Sequence, residues 1–179
     1  MNKAWSHFKT VTYHKYLVAK GCFRIGLYKQ GILHDMSKYS PTEFRVGMKF
    51  YQGHRSPNNA EREQFGYSGA WLHHKGRNKH HYEYWFDYTL DGRSGIMAPV
   101  PMPDKYIAEM VMDRIAACKV YMGNAYTDAS GLEYYYKGTD KAPLHEYTRK
   151  RLVEILTILA EQGEEKMYAY IRRELLHKK

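Results

Sequence analysis

Cysteine is scarce in this chain, with only Cys22 and Cys118 among 179 residues. They stand far apart and neither sits in a Cys motif. That excludes a thiolate metal site and a disulfide framework, and it fits two buried thiols in a reducing cytoplasm. Long apolar runs are missing too. No stretch approaches the ~20 residues of a membrane span. The opening M-N-K-A-W-S-H-F-K lacks the apolar centre of a signal peptide, so no membrane partner is expected. Acidic residues are in deficit, 19 against 28 Lys and Arg, for a net charge of +9. Such a balance favours anionic partners, either phosphorylated small molecules or nucleic acid. No internal repeat, low-complexity tract or strand-like alternation is visible. The expectation is one all-α helical bundle spanning residues 1–179.

What is abundant is histidine and tyrosine, 10 and 18 residues. The histidines are ordered: His14, then the adjacent pair His34-Asp35, then His73-His74 and His80-His81. Asp113 follows on a predicted helix. Imidazoles and carboxylates without thiolates suit borderline and hard metal ions. A neighbouring His and Asp can grip one ion from a kink, or let the carboxylate bridge two. Tyr39, Tyr67, Tyr82, Tyr84 and Tyr88 flank this region, and such rings either line a pocket or pack half-buried. Lys75, Arg77 and Lys79 form a basic patch inside the His cluster. The clusters Arg149-Lys150-Arg151 and Arg172-Arg173 read as solvated helix faces.

Periodicity places these residues. Trp5, Phe8, Val11, Val18, Cys22 and Ile25 recur at helical steps, predicting a helix over 3–30 that Gly31 stops. His14 falls on the same stripe and should point inward. Ser40-Pro41-Thr42-Glu43 is a helix start with a capping box, and that helix runs to about Gln52. A further helix begins after Asn59. If it is unbroken, His73/His80 and His74/His81 share faces; if Gly76 breaks it, the two pairs converge from a bend. Another helical stretch starts at His81, and Asp91-Gly92 marks a turn. Pro99, Pro101 and Pro103 form an extended connector. Asp104 begins a helix that ends at Gly123, with Asp113 off its main apolar stripe. Residues 124–142 read as a loop, a lid or a plain connector. Two helices close the chain, one over 144–162 and one after Gly163.

The order of His14, His34-Asp35 and Asp113 resembles that of the HD superfamily of metal-dependent phosphohydrolases. I-L-H-D-M-S-K resembles the H-D-x-x-K form found in several of its branches. The stretch G-Y-S-G-A-W-L-H-H-K-G-R-N-K-H-H-Y-E-Y-W is similar to a small, uncharacterised bacterial and phage family within or near that superfamily. The resemblance implies an HD-like bundle in which His14, His34, Asp35 and Asp113 hold one divalent ion. With a second ion, Asp35 would bridge, and His74 and His81 are the preferred extra ligands, His73 and His80 the alternates. The candidate ions are Mn, Fe, Co, Ni and Zn. The resemblance also implies that Lys38 neutralises a phosphate oxygen.

Lys75, Arg77 and Lys79 could bind the same anion from the opposite wall, and Glu83 or the Asp35 bridge could position a proton. The expected activity is hydrolysis of a small phosphorylated metabolite, a nucleotide first. The G-Y-P signature of cyclic di-guanylate phosphodiesterases is missing, which argues against that substrate. Two alternatives stay open: an HD-fold di-iron oxygenase, and a metal-containing nucleotide- or nucleic-acid-binding module without turnover.

Overall fold

The computed structural model describes residues 2–89 and 96–177. The expected turn at Asp91-Gly92 lies outside the described residues. The architecture is all-α. Helix α1 (Lys3–Arg24) starts at Asn2, whose side chain accepts from the Ala4 amide. It ends earlier than the periodicity suggests, because Gly26 takes φ 74° and turns the chain. The short α2 (Tyr28–Leu33) then folds back on α1. Gly31, expected as the stop, lies buried inside α2 against Cys22 and Phe23.

Helix α3 (Pro41–Phe50) begins as expected, with the Ser40 hydroxyl accepting from the Glu43 amide. Helices α4 (Pro57–Phe65) and α5 (Gly69–Lys75) follow, the second capped by Ser68. The chain bends at Gly76, so the converging alternative for the histidine pairs is the one adopted. The helical stretch expected from His81 is one tight turn at Tyr82–Tyr84. A two-stranded antiparallel pair follows, Phe86–Tyr88 against Met97–Pro99, with Phe86 opposite Pro99. The strand-formers Phe86 and Tyr88 alternate there, and Pro99 sits at an edge that needs no further amide donor.

The long α6 (Asp104–Met122) is the central helix, packed on α1 and α8. Residues 124–142 are not only a loop: α7 (Ser130–Tyr136) lies within them. Helices α8 (Glu146–Gln162) and α9 (Glu164–Tyr170) complete the bundle. The core is one cluster of Val18, Cys22, Ile107, Val111, Leu152, Ile155, Leu156, Met167 and their neighbours, all buried. No described helix is long and apolar enough to cross a membrane. The bundle thus holds α1 and α6 rigidly side by side, and these two helices carry His14, Glu109 and Asp113.

Candidate metal centre

Asp35 sits at the kink that the sequence suggested. Its backbone is left-handed, φ 53° and ψ 26°, a conformation that costs free energy in most residues and is tolerated by Asp. Lys15 on α1 fixes this kink from outside. Its ammonium donates to the carbonyls of Ile32 and His34 at 2.5 and 2.9 Å. Asp35 is thereby driven into the interior, 1 % exposed, with His34 beside it at 2 %.

The two oxygens of Asp35 face two different sets of donors. Oδ2 lies 3.3 Å from His34 Nε2 and 3.7 Å from His14 Nε2. Asp113 Oδ1 closes that set, 2.9 Å from His14 Nε2 and 3.6 Å from His34 Nε2. Oδ1 lies 3.2 Å from His74 Nε2 and 3.5 Å from His80 Nε2. His81 joins this second set. Two donors ~2.1 Å from one ion, at tetrahedral or octahedral angles, stand roughly 3.0–3.4 Å apart. The distances in the two sets run from 2.9 to 3.7 Å, bracketing that spacing, and Asp35 joins the sets.

The donors also lack any other use. His14, His34, His74, His80 and His81 each present a buried Nε2 without a hydrogen-bond partner, and both Asp35 oxygens are in the same state. Buried polar atoms are normally satisfied, since an unpaired one costs about 1–3 kcal/mol. Seven such atoms converge here, with only the Lys38 ammonium ion-paired among them at Asp35 Oδ2, and the group could hold a metal ion. The far sides of the rings are the reverse. His34 Nδ1 donates to Glu109 Oε1 at 2.9 Å, and His80 Nδ1 approaches the same oxygen at 3.3 Å. His74 Nδ1 donates to Glu43 Oε2 at 2.8 Å. A carboxylate on Nδ1 fixes the tautomer and aims the Nε2 lone pair inward, as metal-ligating histidines require.

The electrostatics hold the carboxylates ionised and divide the imidazoles. Burial opposes the Asp35 charge, but His34, Lys38 and His74 outweigh it and hold the carboxyl well below its ordinary range. Asp113 is likewise held low against burial, chiefly by the His14 and His34 rings that face it. Burial pushes the His14 and His81 imidazoles down, helped by Lys38 and by His80 respectively. Against burial, Asp35 pushes His34 and His74 up. Ionised carboxylates and neutral imidazoles are the forms that bind metal, so an ion bound here would displace the protons that Asp35 favours on His34 and His74.

The structure brings together all six residues expected as ligands, His14, His34, Asp35, His74, His81 and Asp113, and adds His80. His73 turns away and donates to Glu43 at 2.6 Å. Lys38 lies where the motif suggested, its ammonium 2.6 Å from Asp35 Oδ2. Lys75, Arg77 and Lys79 need correction as an opposite wall, for they are absent from the residues lining the cleft over the cluster. Arg77 donates to the His73 carbonyl, and Lys79 lies over the Tyr84 ring. Past the bend at Gly76, Arg77 and Lys79 are exposed and His80 is buried.

The cations on the cleft are Lys38, Arg55, Arg114 and Lys137, and the cleft volume is about 580 Å³. Trp71, Tyr82, Tyr121 and Tyr134 supply aromatic walls, and Glu83 lines the same space. Glu43 and Glu109 went unnoticed as ring-holding carboxylates. Glu109 left one signal, an acidic residue one helical turn before Asp113 and so on the same face.

A family of unknown function (DUF5662) matches residues 3–158. The chain belongs to that family. The matched segment contains every residue of the cluster together with its carboxylate supports. No curated protein and no solved structure matches the chain.

Proposed function

We propose that the protein is a metal-dependent phosphohydrolase acting on a small phosphorylated metabolite, a nucleotide first. The observation that carries this reading is the Asp35-bridged pair of donor sets beneath a cleft lined with cations and aromatic rings. The residue order shared with the HD superfamily supports it independently. The resident ions would be divalent transition metals, held by His14, His34, Asp35 and Asp113 on one side and by Asp35, His74, His80 and His81 on the other. Bound there, they supply Lewis acidity and positive charge to a phosphoryl group, which otherwise repels a nucleophile.

The chain's own groups do the rest. Lys38 is 30 % exposed at its side chain, next to Asp35, and a phosphate oxygen can reach it. Arg114 follows Asp113 directly on α6 and faces the same cleft. Trp71, Tyr82, Tyr121 and Tyr134 offer stacking surfaces to a base. Glu83 stands on the cleft wall as the candidate for positioning a proton.

The test is a panel of phosphomonoesters and phosphodiesters with protein loaded with manganese, cobalt, nickel or iron. Cleavage that a chelator abolishes, and that Asp35→Ala lacks, is the expected result. No cleavage, but oxygen consumption with a polyol or phosphonate, would replace this reading by a di-iron oxygenase. Nucleotide binding without any turnover would leave a binding module.

A further inference from the structure

The two donor sets are chemically unequal. On the Asp113 side are two imidazoles, His14 and His34, and two carboxylates, Asp113 and the shared Asp35. On the other side are three imidazoles, His74, His80 and His81, and the shared Asp35 alone. Nitrogen-rich sites suit zinc, nickel and iron, whereas carboxylate-rich sites suit manganese and magnesium. The ammonium of Lys38 adds a second difference. It sits 2.6 Å from Asp35 Oδ2, the oxygen that faces the Asp113 side. A fixed positive charge there repels an incoming cation and weakens the donor that the cation needs. Among the described residues no ammonium or guanidinium pairs with Asp35 Oδ1, the oxygen that faces the nitrogen-rich side; Glu43 braces His74 there, and Glu109 braces one ring on each side.

The geometry points to an ordered, mixed-metal centre. The His74/His80/His81 side takes the first ion, of the zinc class, and keeps it. The His14/His34/Asp113 side takes the second ion, of the manganese class, more weakly and exchangeably. This inference rests on the reading of the cluster as a dinuclear metal centre, and it is independent of the reaction catalysed there.

The experiment uses the full chain, stripped with a chelator. One equivalent of Zn(II) is added, then excess Mn(II), and metal is counted by mass spectrometry after desalting in Mn(II) buffer. One zinc and one manganese per chain are expected. The manganese should give the six-line paramagnetic resonance spectrum of an isolated ion, because its neighbour is diamagnetic. Calorimetry of the first Zn(II) equivalent supplies the site assignment. His81→Ala should weaken it roughly tenfold or more, by analogy with the 10–100-fold loss seen when a supporting group is removed. Asp113→Ala should leave it within about twofold and remove the manganese.

Asp113→Ala weakening the first zinc more than His81→Ala would overturn the assignment. So would zinc scattered between the sites, visible as an exchange-coupled two-manganese spectrum in part of the sample. The wild-type spectrum needs no variant to fold, so it decides whether the filling is ordered even if a substitution is poorly tolerated. Fewer than two ions per chain with any metal would remove the dinuclear reading itself, a result distinct from two ions bound in the wrong order.

Discussion

At the scale of single residues, Asp35 carries most of the weight. It is the one carboxylate that both donor sets share, and a left-handed backbone holds it in place. Asp35→Ala should therefore lose metal from both sides while circular dichroism shows an unchanged helical fold, because the apolar cluster lies elsewhere. Retention of two ions would show that Asp35 does not bridge. The supporting carboxylates act more gently. Glu109 holds one ring of each set, so Glu109→Gln should lower metal affinity by about 10–100-fold without removing a ligand. Titration with either ion reads this directly, and an unchanged affinity would mean that the rings are positioned by packing alone. Lys38→Met separates binding from chemistry. At saturating metal it should leave the ion count at the wild-type value and, under the proposed reaction, lower kcat/KM on a phosphoester by removing the cation proposed to meet the phosphoryl charge.

At the scale of elements, the packing of α3 on α1 sets one wall of the cluster, because α3 carries Glu43. That contact runs through Gly47, where a Cβ would lie 2.1 Å from Nε2 of His7. The His7 ring has little room to yield, set between Phe44 and Tyr51 at centroid distances of 5.2 and 5.8 Å. Gly47→Ala gains about 1 kcal/mol of helix propensity and meets overpacking of about 1–3 kcal/mol. The expected net is a lower urea midpoint, restored in the His7→Ala/Gly47→Ala double variant; a raised midpoint in the single variant would show that the helices simply part.

His7 also carries a pH dependence. Burial, then the nearby Lys38 charge, holds its imidazole down to about 4 from the ordinary 6.5. The unfolded chain takes up this proton below pH 6.5, while the folded chain resists until about 4. Stability is thus unaffected above 6.5 and is lost as the pH falls between those values. Metal-free wild type should lose more stability on acidification to about pH 5 than His7→Gln does, and equal losses would rule His7 out as a source.

Elements also show what the sequence could and could not tell. The stripe on α1, the Ser40 cap and the α6 helix follow from local rules, so His14 and Asp113 were placed on the correct helices. The choice among His73, His74, His80 and His81 depends on how the chain turns after α5. Asn78 settles that turn by donating to the Ser37 hydroxyl and the His74 carbonyl, both at 2.8 Å. No periodicity encodes a contact between residues 41 positions apart. The cleft is lined instead by Tyr134 and Lys137, from α7 and the residue after it, which lie far from the histidine cluster in sequence.

At the scale of the whole molecule, an apolar bundle surrounds a polar centre in which five histidine Nε2 atoms make no hydrogen bond. Metal should therefore stabilise the fold as a ligand does, by about 2.7 kcal/mol per site at a hundredfold excess over Kd. Thermal unfolding followed with and without Mn(II) or Zn(II) checks this, and an unmoved Tm would count against a native metal role. The net charge of +9 acts at the same scale. It should draw anionic substrates to the cleft, so kcat/KM should fall as ionic strength rises. The most direct test of the central claim is anomalous diffraction from crystals grown with zinc and manganese, with data collected at both absorption edges. Two peaks flanking the Asp35 carboxylate, one toward Asp113 and one toward His81, are the predicted result. No peak at Asp35, or density for ions bound only at surface histidines such as His54, would contradict it.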